Sequence, residues 1–280
     1  MDNFKFITIE NKNYPSVIMG EDHFTGWFSK CPKFDSEEER AKAYRECLET
    51  AYSLGVRGFS MSPHDTLILV LKKFKKKHPE IVCISNHHWK SHYYLAEKSM
   101  WGQEILSKLG PGAKENFSEE EIKSIRLDEK EYCELLSNFK KFCDFCLVGN
   151  LGISALVTLG REDIIEKEIE FAREHGLVPL GMCEGGALAL EKMEQLNVAG
   201  TWVCVNKDYL CPDLETGLPI LKSAKKPVTG YRIFSSPKGF NLEKSMEFIN
   251  SVEMIKTIVV GVANKEQARE TFGELRKFWG

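Results

Sequence analysis

The chain has 280 residues, 42% hydrophobic and 28% charged, with 38 basic against 41 acidic side chains and a net charge of -3. A chain of this length buries most of its apolar surface in one or two ordinary domains, and a near-balanced charge without a face-long basic stripe sets nucleic acid aside as a partner. The longest apolar runs, such as ALVTL and TIVVGV, fall far short of the roughly 20 residues of a bilayer span, and MDNFKFITIE lacks a signal-peptide pattern, so neither membrane insertion nor secretion is expected.

Nine cysteines, an odd number, lie mostly within apolar runs, as Cys83, Cys146 and Cys204 do. They read as reduced thiols packing as small hydrophobes, which points to the cytosol. Cys143 and Cys146 form the one close pair, and without a second pair at zinc-ribbon spacing they read as one thiol at a helix end and one in a strand.

Along the chain, short apolar runs alternate with longer segments of helical period. The runs are 16–20, 57–62, 81–85, 145–150, 177–182, 201–206, 228–234 and 257–262. Between them, the segments 36–55, 65–78, 128–142, 161–176, 187–197, 241–251 and 264–279 place apolar residues three and four apart with charges between. Ser36 followed by Glu39 is a capping-box signal, and Gly55 and Gly176 stop helices just before the next strand. Continuous rather than alternating hydrophobicity suits parallel strands covered on both sides. Eight such units predict an α/β chain folded as one (β/α)8 TIM barrel over 1–280, with an open doubly wound sheet as the runner-up. The weakest unit is 207–226, loop-like with at most a short helix. After the third strand about forty residues intervene, and 90–127 is expected to be an insertion or lid on the face that carries chemistry.

In such a barrel the residues just after each strand converge on one mouth. Glu21, Asp22, His23, His87, His88 and Glu184 are therefore the candidate proton-transfer groups, with His64 and Asp65 after the second strand. Asp22, His87, His88 and Glu184 are also the candidate ligands of a divalent ion such as zinc, manganese or iron, although no fixed spacing selects the set. Which of Glu21, Asp22 and His23 faces inward is open, since a slip of one residue exchanges them. Arg232 would anchor a substrate carboxylate or phosphate, or form an ion pair with Glu184 or Asp22. Asn150, Asn206 and Trp89 are further candidate substrate contacts. The start of the last helix, after VVGVAN, offers a weak phosphate site.

Several passages resemble the aldo/keto reductase superfamily: LGVRGFSMSPHDT, EFAREHGLVPLGM, KPVTGYRIFSSPKGF and TIVVGVANKEQARET. The likeness spans most of the barrel. It implies a barrel oxidoreductase using NADP, with Asn264, Lys265 and Gln267 near the adenosine phosphate. The superfamily reduces carbonyls with an Asp-Tyr-Lys-His tetrad, and here the matching strand ends read SMSPHDT, ISNHH and VGNLG. Asp65 and Lys90 match only with a shifted register, and Tyr93 or Tyr94 would have to return from the insertion.

The leading expectation is thus a barrel enzyme performing acid–base or metal-assisted chemistry of the lyase, isomerase or hydrolase kind on a small polar, anionic metabolite. An NAD(P)-dependent oxidoreductase with a rebuilt catalytic set is the second. A barrel that serves only as a binding module is the third, and a homo-oligomer is left open.

Overall fold

The structure is a computed structural model that describes residues 2–26, 31–87, 93–100, 113–149, 152–184, 186–235 and 239–279, with only the backbone given for 113 and 152–154. A short antiparallel hairpin comes first, β1 (Phe6–Ile9) and β2 (Lys12–Pro15). Then follow β3 (Val17–Gly20), β4 (Gly58–Met61) and β5 (Val82–Ser85). A small antiparallel sheet, β6 (Tyr93–Leu95), β7 (Lys98–Ser99) and β8 (Ile125–Leu127), interrupts the rhythm. The chain resumes with β9 (Phe145–Val148), β10 (Val178–Cys183), β11 (Gly200–Cys204), β12 (Val228–Tyr231) and β13 (Ile255–Gly261). The eight strands β3, β4, β5, β9, β10, β11, β12 and β13 pair in parallel in that order, and β13 returns to β3 with Gly261 opposite Gly20. The chain is a (β/α)8 barrel.

The two faces of each strand explain the unbroken apolar runs. Ile18, Ile84, Leu147, Leu180, Met182 and Trp202 point into the barrel, while Met19, Phe59, Cys83, Cys146 and Val203 pack beneath the surrounding helices. Both faces are dry, so neither can alternate with polar residues. Ser36 caps the helix Glu37–Ser53 by accepting the Glu39 N–H at 3.1 Å. Gly55 and Gly176 leave their helices with φ of 89° and 75°, the left-handed region open to glycine. Cys143 lies just past the helix Glu129–Phe139 and Cys146 within β9, both buried. The segment expected as loop carries a nine-residue helix, Leu214–Lys222, with Pro219 inside it and Asp213 capping it at 2.7 Å.

Short, half-polar strands hid the hairpin, which fills the N-terminal end of the barrel. Tyr14 is fully buried there, edge-on to Phe145 at 4.9 Å, and its hydroxyl accepts the Trp202 indole N–H at 2.8 Å and lies 3.3 Å from the Thr229 hydroxyl. The segment between β5 and β9 packs Tyr93, Leu95, Met100, Phe117 and Leu127 into the outer core. No helix among the described residues is long and apolar enough to cross a membrane.

Candidate active site

A cavity of about 770 Å³ opens at the C-terminal mouth of the barrel. Its floor follows from strand parity: Ile18 and Gly20 share one face, as do Met182 and Glu184, and Trp202, Cys204 and Asn206. β3 ends at Gly20 and a helical turn follows, so the turn rather than strand alternation separates Glu21, Asp22 and His23. Asp22 and His23 line the cavity, whereas Glu21, 1% exposed, is not among its lining residues and accepts hydrogen bonds from the Ser60 and Ser62 hydroxyls.

Asp22 opens the one-turn helix Asp22–Thr25, which ends at Gly26 with φ 76°. Its carbonyl accepts from the Thr25 hydroxyl at 2.8 Å and the Cys31 thiol at 3.3 Å, which fixes the turn, while the buried side-chain Oδ1 has no partner among the described residues. Burial, then the neighbouring Glu21 carboxylate, push the Asp22 carboxyl up to about 7 against the pull of Arg232. Glu184 is likewise raised to about 7 by burial, opposed by Arg232, whose guanidinium lies 3.7 Å away. Burial holds His23 below its usual value, so the imidazole is neutral near pH 7. Its ring rests against Gly261, where a Cβ would come within 2.8 Å of it. The Tyr231 hydroxyl is buried in the cavity wall without a hydrogen-bond partner among the described residues, its ionisation pushed well above the ordinary range by burial.

β12 ends at Tyr231, and Arg232 adopts a left-handed φ of 56°. Strict alternation would send this side chain out among the helices; the left-handed turn leaves it at the mouth, beside Glu184 and 5.8 Å from the Tyr231 ring. Asn206, 2% exposed, pins that turn: its amide donates to the carbonyls of Arg232 at 3.4 Å and Ser235 at 3.3 Å. Asn206 thus spends its polar atoms on backbone.

The other expected residues scatter. His87 is 2% exposed outside the cavity lining, with its ring 5.7 Å from that of Tyr132 and 5.3 Å from that of Phe139; one position earlier, Asn86 faces the cavity. The reason is again parity. His64 and Asp65 border a separate cavity of about 640 Å³ between helices. His88, Trp89, Lys90 and Asn150 lie outside the described residues. Asn264 caps the last helix by accepting the Gln267 N–H at 2.8 Å, Gln267 accepts the Ala263 N–H at 2.7 Å, and Lys265 pairs with Glu46 at 3.6 Å. Of these three only Gln267 borders the cavity. Among the described residues no three His, Cys, Asp or Glu side chains stand together as a metal-ligand set, and Arg232 already supplies the positive charge beside Glu184. Tyr209, Phe234 and Phe240, which ring the mouth, carry no sequence signal beyond aromaticity in a loop.

No protein-family model matches the chain, and no curated protein sequence matches it. Solved structures do match in fold. The aldo-keto reductase AKR11C1 from Bacillus halodurans superposes with a TM-score of 0.55 at 9% identity, covering 97% of this chain and 90% of its own. The thermostable aldo-keto reductase Tm1743 gives 0.51 at 12% identity over 97% and 94%. KGPDC from Streptococcus mutans gives 0.50 at 10% identity over 95% and 99%. The shared feature is the barrel.

Proposed function

We propose that the mouth is an active site for acid–base chemistry on a small anionic metabolite. The observation that carries this reading is two carboxyl groups, Asp22 and Glu184, both raised to about 7, facing one cavity with a single guanidinium between their influences. Near neutral pH such a pair holds one proton donor and one acceptor in adequate supply. Arg232 receives the substrate's anionic group, and the neutral Tyr231 hydroxyl donates to an oxygen that gains charge as the proton leaves. His23, neutral and with its Nδ1 unpartnered, offers a further hydrogen bond. Glu21 keeps Asp22 protonated to higher pH by adding a second buried carboxyl next to it. The reaction class this supports is proton abstraction beside a carbonyl or carboxylate, as in isomerases and lyases. Incubating the protein in heavy water with a panel of small 2-oxo and 2-hydroxy acids and sugar phosphates tests it. Deuterium enters at least one of them, and D22N and E184Q each stop it. Ordinary carboxylic titration of both groups together with no exchange would falsify the reading.

A second reading, an oxidoreductase using NAD(P), has one observation in its favour: the cavity runs on to Gln267 and Thr271 of the last helix. The residues there do not form a phosphate cradle. Asn264 and Gln267 cap the helix, and Lys265 is drawn to Glu46. Titration with NADPH, followed by protein fluorescence, separates the two readings; no binding at millimolar cofactor removes the second.

A further inference from the structure

The walls of the cavity differ. On one side stand β11 and β12 with Trp202 and Tyr231, continued above by Tyr209, Phe234 and Phe240; on the other, Gly20 and Gly261 present no side chain of their own and the His23 ring rests on Gly261. Trp202 has already given its indole N–H to Tyr14, so what it offers the cavity is ring surface. Phe240 and Tyr209 are 66% and 46% exposed at the rim, and Phe240 meets Phe234 edge-on at 5.5 Å. Aromatic surface left open around a concave site is what an apolar ligand would cover.

The charges narrow the ligand's head group. Among the described lining residues Arg232 is the one permanent cation, and the groups whose charge it feels are Tyr231, Cys204, Glu184 and Asp22. Lys207 pairs with Asp208, and at the start of the last helix Asn264 accepts the Gln267 N–H while the Gln267 side chain accepts the N–H of Ala263 just before it. A dianion would face one guanidinium and two acids, whereas a single carboxylate matches a guanidinium fork in charge and shape.

We infer that the cavity takes a monocarboxylate carrying a planar aromatic body, with its carboxylate on Arg232 and its ring along the β11–β12 wall. The inference rests on the mouth being the active site and names the class of molecule that enters it. Below about pH 7 both acids are protonated and the site carries the charge of Arg232; above it they ionise and repel the ligand.

The test is calorimetric titration of the whole chain with 3-phenylpropionate, acetate, 3-phenylpropan-1-ol and phenyl phosphate at pH 6 and pH 8. Expected is 3-phenylpropionate binding at pH 6 about tenfold tighter than acetate or the alcohol, and about tenfold weaker at pH 8. R232Q abolishes the preference over the alcohol while R232K restores part of it, which separates loss of charge from loss of the turn. Acetate or phenyl phosphate binding as tightly as 3-phenylpropionate, or a preference that survives R232Q, overturns the inference. Carbon-13 titration of Asp22 and Glu184 in the same samples keeps the two proposals apart. Carboxyls that titrate near neutrality with no probe bound sink the ligand class alone. Ordinary titration with Arg232-dependent binding sinks the acid–base reading alone.

Discussion

Replacing Arg232 by Gln removes the one charge that holds Glu184 down, and the size of the response follows from the geometry. The guanidinium lies 3.7 Å from the carboxylate, which in a medium of effective dielectric about 20 corresponds to roughly 4 kcal/mol. The arginine side chain is 46% exposed and the glutamate 14%, so solvent screens most of this, leaving about 1 kcal/mol. At about 1.4 kcal/mol per pH unit, Glu184 should rise from about 7 by a little under one unit. Carbon-13 NMR of the side-chain carboxyls across pH 5 to pH 9 measures it directly. The wild-type chain provides the reference, and E184Q identifies the resonance. If the Glu184 resonance titrates at the same pH in R232Q, or lower, then Arg232 does not face Glu184 and the site as described is wrong.

Glu168 offers a stability test away from the mouth. It is 3% exposed, accepts the Gly149 N–H at 2.7 Å, and is raised by burial from 4.5 to about 7. A folded-state value above the unfolded one means the folded chain holds the extra proton, so its contribution is full below about 4.5 and is lost as pH rises to about 7, at a cost on the order of 3 kcal/mol. Urea melts at pH 5 and pH 8 should show E168Q with a visibly flatter pH dependence than the wild type; equal slopes would refute this. Y14F removes the acceptor of the Trp202 N–H inside the barrel and should cost about 1–3 kcal/mol in the same melts. G58A puts a Cβ 2.4 Å from Pro15 and 2.9 Å from the Val17 carbonyl, where backbone cannot yield cheaply, and should cost about 1–3 kcal/mol; a neutral result would show that the hairpin does not seat on β4 as described. N206A, which frees the carbonyls of Arg232 and Ser235, should raise the Glu184 titration in the same direction as R232Q; a Glu184 resonance unmoved from wild type would refute the pinning role.

The barrel was legible because both faces of its strands are dry: eight apolar runs, seven of them followed by a helical period, admit few other architectures. The glycine stops and the Ser36 cap are local signals and held locally. The site was legible only as a set of strand ends. Asp22, His23, Glu184 and Arg232 come together, yet the sequence could not rank Asp22 over Glu21, because the choice depends on how the helical turn after β3 runs at the mouth. Strand parity after β5 turns His87 toward Tyr132 and Phe139 and leaves the cavity to Asn86. Glu21 reads as a catalytic acid until Ser60 and Ser62, some forty residues on, close over its carboxyl. Arg232 depends on a left-handed backbone that nothing in VTGYRIF announces and that Asn206 holds from the neighbouring strand. The sequence by itself determined the order of strands and helices and which residues could reach the mouth, because periodicity and capping act over a few neighbours. Which of them face one another, and with what proton affinity, was decided by barrel closure, which alone brings β3, β10 and β12 around one cavity.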